Sequence, residues 1–150
     1  MNRAPVTSTI AEGLMNGPAL LGDLALSGIQ VLPLGGDNLY VTSAPGGLTA
    51  DLREVLASRQ AELAEAIRLE AAAWDACRAS QVVSTTVQEI RGQFGAAGFE
   101  PAGLEGFGVL LQQAEAARSL SAVKAACVRW ALFVRNRRRP AQRSPDRRLS

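Results

Sequence analysis

The sequence predicts an α+β protein, mostly helical, built as an α-β-β-α-α module around one β-hairpin and followed by an all-helical extension. Three observations carry this. Between Ala19 and Arg68 a short apolar run at helical spacing gives way to two β-rich runs separated by Gly35, Gly36, Asp37 and Asn38. Beyond them apolar residues return at helical spacing, beginning with Leu52, Val55 and Leu56. The length of 150 residues fits one domain, or one small module with a helical extension.

Residues 1–17 carry no apolar periodicity and read as a flexible lead. Leu20, Leu21, Leu24 and Leu26 form an amphipathic run that stops at Ser27-Gly28, where glycine can take the left-handed conformation that ends a helix. Strands are expected over Ile29–Leu34 and Leu39–Ser43, joined by residue types that tolerate positive φ in a tight hairpin. After Ala44-Pro45-Gly46-Gly47, Thr49 reads as an N-cap with Asp51 in the first helical turn.

Leu63, Ile67, Trp74 and Cys77 continue one face by steps of three, four and seven, so one long helix is expected to run past Trp74. The β-branched run Val82, Val83, Thr85, Thr86 and Val87 predicts a break near Ser80–Ser84. A capping box from Thr86 to Glu89 would then open a short helix ending near Gly95. Five glycines and Pro101 between Gly95 and Gly108 read as a loop anchored by Phe99, Leu104 and Phe107. This glycine set is no phosphate cradle, because neither a preceding strand nor a following Lys-Ser/Thr accompanies it. Helices are expected over Val109–Arg118 and from Ala122 to about Arg137, the latter capped by Ser121. The organisation is thus a lead over 1–17, the module over 18–70, the helical extension over 71–137 and a disordered basic tail over 138–150.

The net charge of +2 conceals an asymmetry. Residues 135–150 hold seven Arg against Asp146, giving +6, and the rest hold nine basic against thirteen acidic residues, giving −4. There is no His, which removes the commonest general base and metal ligand and excludes Ser-His and Cys-His catalysis. Cys77 and Cys127, each flanked by Ala, match neither a disulfide framework nor a zinc pattern and read as reduced core residues. Asp51 with Glu54, and Glu62 with Glu65, share helical faces beside Arg partners and read as solvated pairs. Neither a catalytic constellation nor a cofactor or metal site emerges, so the chain is expected not to be an enzyme. The N-terminus has no unbroken apolar segment of the signal-peptide kind and charges cut every later apolar stretch, so a cytoplasmic protein is expected. Aromatic residues make up only 5%, and this scarcity of large core side chains predicts a homodimer.

A two-stranded hairpin leaves open edges that can accept an extended peptide as a further strand. Pro33 lacks an N–H and weakens the first strand as a template, which leaves Leu39, Tyr40, Val41, Thr42 and Ser43. The Tyr40 ring should face opposite to Leu39 and Val41, either as an exposed contact or as a lid on the core. Trp74 and Trp130 sit among Ala and Val and read as core.

The series Gly28, Ile29, Val31, then Gly36, Asp37, Leu39, Tyr40, then Ala44, Pro45, Gly47, Leu48, Thr49, Leu52, Leu56 and Leu63 resembles the TubC-type N-terminal docking domain. It covers about a third of the chain, and its specificity lies in the order and spacing of weak motifs. Members are small α-β-β-α-α modules at the start of some nonribosomal peptide synthetase and mixed polyketide synthase subunits, where they capture the tail of the upstream protein. Arg59 stands where members usually carry Lys, which keeps the charge, and no synthetase domain follows in these residues. The resemblance implies noncatalytic docking through the hairpin and the charges around it, for which Asp37, Arg53 and Arg59 are the nearest candidates. The expected function is a protein-binding adaptor.

The second reading comes from the arginines. Arg135, Arg137, Arg138, Arg139, Arg143, Arg147 and Arg148 suit sequence-independent attraction to nucleic acid, in a small nucleic-acid-associated accessory protein. No aromatic residue accompanies them to stack bases.

Overall fold

The computed structural model describes residues 16–148, with side chains as far as Arg137. The described part is mostly helical with one two-stranded antiparallel sheet, in the order α1 (Gly17–Leu26), β1 (Gln30–Gly35), β2 (Asn38–Thr42), α2 (Ala50–Ser58), α3 (Gln60–Ala72), α4 (Ala76–Phe94), a 3₁₀ turn (Gly95–Phe99), α5 (Pro101–Ala117) and α6 (Leu120–Arg148). The expected mostly helical α+β class is therefore observed. Residues 1–15 of the expected lead lie outside the described residues, whereas Asn16 caps α1 and Gly17 already belongs to it. The Asn16 side chain accepts from the Ala19 N–H at 2.8 Å as an N-cap.

The chain leaves α1 through Gly28 at φ +76°. A Cβ there would stand 3.0 Å from Arg129 Cγ, so glycine serves both the left-handed turn and the close approach of α6. The hairpin pairs Gln30 with Thr42, Val31 with Val41, Leu32 with Tyr40 and Pro33 with Leu39. Because side chains alternate across a strand, its two faces bury against different partners. Val31 joins Leu20, Leu21, Leu24, Ile29, Leu56, Leu63, Ala66 and Ile67 in one core, and Leu39 and Val41 pack against it. On the other face Leu32 packs with Ala79, Ala114, Ala122 and Val123. The hairpin thus separates a core made with α1, α2 and α3 from one made with α4, α5 and α6. Gln30, fully buried, fastens it to the second half by donating from Nε2 to the carbonyls of Leu110 and Ala122, both at 3.1 Å.

Thr49 caps α2 as expected, accepting from the Leu52 N–H at 3.1 Å. Several other expectations are corrected. The helix of Leu63 and Ile67 stops at Ala72, and Asp75 caps a new one by accepting from the N–H groups of Cys77 and Arg78, so there is no continuous helix past Trp74. An Asp able to cap competes with helix continuation, and here it wins. Conversely α4 runs unbroken through Val82, Val83 and Val87, which pack on buried residues; packing overrides their modest propensity. Thr86 opens no helix and donates from its hydroxyl back to the Val82 carbonyl.

The glycine-rich stretch from 95 to 108 is not a loop. It is a 3₁₀ turn and the first half of α5, with Pro101 in the first turn, where its fixed φ suits a helix start. Phe99 and Phe107 do fold onto Trp130, edge-on at 5.6 Å and stacked at 4.6 Å between ring centroids, while Leu104 is exposed. The α6 cap is Ser119 rather than Ser121, since the Ser119 hydroxyl accepts from the Ala122 N–H. Cys127 is buried, and burial pushes its thiol pKa up; Cys77 is exposed, against the expectation of two core thiols. The backbone of α6 is helical to Arg148, past the point at which an irregular tail is expected. It continues across Pro140 and Pro145. No helix among the described residues is long and apolar enough to cross a membrane.

Candidate functional site

Pro33 has no N–H to donate, so its pairing with Leu39 is of the non-hydrogen-bonded kind. Alternation then fixes the rest of β2: the backbone groups of Tyr40 and Thr42 turn toward β1, and those of Leu39 and Val41 turn away from it. Among the described residues none makes a hydrogen bond to the backbone of Leu39 or Val41 from that outer side. On β1 the corresponding outward positions are Val31 and Pro33, so the proline interrupts that edge. The hairpin therefore has one strand, β2, whose outward donors and acceptors are complete.

The other expected binding residues are spread unevenly around this edge. Tyr40 is 46% exposed on the face opposite to Leu39 and Val41. Thr42 accepts a hydrogen bond from Arg129 Nη1 at 2.7 Å. The Ser43 hydroxyl donates to the Ala44 carbonyl at 2.8 Å and shapes the turn out of the strand. Asp37 lies exposed at the hairpin tip, where Gln60 donates to its carbonyl and Arg68 stands 3.6 Å from its carboxylate. Arg53 is exposed on α2. Arg59 is not a surface charge: it is buried and makes a two-point pair with Glu62, Nε to Oε1 at 3.0 Å and Nη2 to Oε2 at 2.7 Å. That hydrogen bond holds the Glu62 carboxyl below its ordinary pKa.

Two residues past β2, Ala44 and Pro45 form one wall of a groove of about 940 Å³, whose other walls are α5 and α6. Its lining is largely apolar, including Phe107, Val109, Leu132 and Phe133, with Gly103 and Gly106 on α5. The lining holds Arg129 and Arg137 and no carboxylate. Arg137 pairs with Glu100 at 3.0 Å and lies over the Phe133 ring. Arg129 differs. It is partly buried, burial pulls its pKa down, and no carboxylate among the described residues lies within ion-pair distance. Neither Gln30 nor Arg129 stands out in a motif. The available signal for Arg129 is one charge inside the apolar run from Ala125 to Val134.

A polar cluster elsewhere has an architectural explanation. Glu70 Oε1 accepts from the hydroxyls of Ser119 at 2.6 Å and Ser121 at 2.8 Å, tying the end of α3 to the start of α6. Because Ser119 also caps α6, its oxygen is engaged on both sides. Glu65 is held by Arg68 as Glu62 is by Arg59. No group of three His, Cys, Asp or Glu side chains suited to a metal gathers among the described residues. Of the arginines read as a nucleic-acid tail, Arg135 and Arg137 are exposed on α6, and the side chains of Arg138, Arg139, Arg143, Arg147 and Arg148 lie outside the described residues.

No family model, curated protein or solved structure matches the chain.

Proposed function

We propose that this protein is a noncatalytic docking adaptor that captures an extended segment of another protein as a third strand along β2. The observation that carries this reading is the outward, unbonded backbone of Leu39 and Val41, set opposite a β1 edge interrupted by Pro33. The edge is held rigidly: one face of the hairpin packs on α1, α2 and α3, and Gln30 ties it to α5 and α6. A preorganised edge loses less conformational entropy when a partner strand binds. The order α-β-β-α-α over 17–72 is also the order that the resemblance to docking modules implies.

The test is affinity capture from native lysate, with and without nuclease, by the full chain and by Val41→Pro. Proline at 41 removes an outward N–H and leaves the bonds between β1 and β2 in place; because it also removes the Val41 packing on the core, thermal unfolding first establishes that the variant is folded. A specific protein captured by the parent chain, resistant to nuclease and lost with Val41→Pro, is expected. Capture that survives in the folded variant contradicts docking at this edge. Recovery of nucleic acid alone, lost on truncation after Val134, assigns the function to the basic end instead.

A further inference from the structure

The groove bounded by Ala44, Pro45, α5 and α6 begins where β2 ends, so a segment paired with β2 runs toward it. Its volume lies at the upper end of the range of about 300–1,000 Å³ for sites that enclose small molecules, ample for large side chains. At the join stands Arg129, bonded to Thr42 in β2 and lining the groove. A partly buried guanidinium whose bond is to a neutral hydroxyl is incompletely compensated, and a carboxylate provides the stronger, charge-assisted partner. The groove carries no negative charge of its own to compete for it.

Gly106 gives a second indication. It lies within α5, where glycine costs helix stability, and a Cβ there would meet nothing within 4 Å. Gly22, Gly92 and Gly108 are equally open, but of these Gly106 alone lines the groove, where an incoming segment would use the space. Gly103, one turn earlier, is by contrast filled by the Phe133 ring.

Resting on the docking reading above, we propose that the groove seats a large apolar side chain of the partner segment and that Arg129 binds a carboxylate of the same segment. The segment that pairs with β2 is thus an acidic-apolar peptide, recognised by backbone pairing at Leu39 and Val41, by charge at Arg129 and by burial over Gly106.

The test pans a display library of random dodecapeptides on the full chain and measures the selected peptides, as synthetic probes, on Arg129→Gln, Gly106→Leu and Val41→Pro. Glutamine retains a donor for Thr42 while removing the charge, and leucine at 106 fills open space, so thermal unfolding should show both variants folded. Expected is selection of peptides that combine Asp or Glu with a large apolar residue. Their affinity should fall about tenfold or more on Arg129→Gln and on Gly106→Leu, and their salt dependence should diminish on Arg129→Gln. Peptides that bind Arg129→Gln and Gly106→Leu as they bind the parent overturn the groove. If Val41→Pro alone loses them, edge docking stands without it, and if all three variants retain them, both readings fall. A library that yields no binder overturns both.

Discussion

Arg129 Nη1 donates to the Thr42 hydroxyl at 2.7 Å, joining α6 to the last residue of β2 across 87 positions of sequence. This bond ties the strand proposed to receive a partner to the helix that lines the adjoining groove. A double-mutant cycle with Arg129→Ala and Thr42→Val should give a coupling of about 1 kcal/mol in unfolding free energy, as for a hydrogen bond from a charged donor at a partly buried site. Additive single effects would show that the bond does not hold α6 to the hairpin.

Gln30 is the second fastening and the more buried. Gln30→Ala removes donors to two helix carbonyls and should cost about 1–3 kcal/mol, read as a lower urea midpoint with unchanged slope. Gln30→Met should cost less, because it keeps the volume and also removes Oε1, which has no partner among the described residues. A negligible loss in Gln30→Met would show that volume rather than hydrogen bonding holds the hairpin.

The glycines of the second half should respond differently to alanine. A Cβ at Gly98 would collide with Ile90 Cγ2, and one at Gly103 would lie 3.0 Å from the Phe133 ring. Gly98→Ala should therefore destabilise by about 1–3 kcal/mol through overpacking, with a smaller loss at Gly103. Gly106→Ala should stabilise by about 0.5–1 kcal/mol, since nothing opposes the added methyl. Thermal unfolding of the three variants checks the order.

The first half of the molecule was legible in the sequence because local chemistry determines it. The halt at Gly28, the turn through Gly35 to Asn38 and the Thr49 cap each depend on residue types within a few positions. The second half depends on distant contacts. Val82, Val83 and Val87 stay helical because they pack on buried residues, and the glycines around Pro101 enter a helix because Phe107 stacks on Trp130. The interruption of the β1 edge was readable from Pro33 alone. Arg129 was not, because its partner is Thr42, far away in sequence.

Acid should weaken the joint between α2 and α3. The Arg59 side chain holds the Glu62 carboxyl below its ordinary pKa, so the unfolded chain protonates first as pH falls. The stabilisation is complete above the unfolded value of about 4.3 and disappears as pH drops through the folded value. Glu62→Gln should flatten the loss of thermal stability between about pH 5 and 3. A variant with the parent's full acid dependence would contradict the assignment.

Native-state amide hydrogen exchange followed by NMR reads, residue by residue, which backbone groups of β2 face outward. The N–H groups of Leu39 and Val41 should exchange rapidly, while those of Leu32, Tyr40 and Thr42, bonded within the hairpin, are protected. Protection of Leu39 and Val41 equal to that of Tyr40 and Thr42 in the isolated protein would mean that the edge is already covered, and would overturn docking along β2.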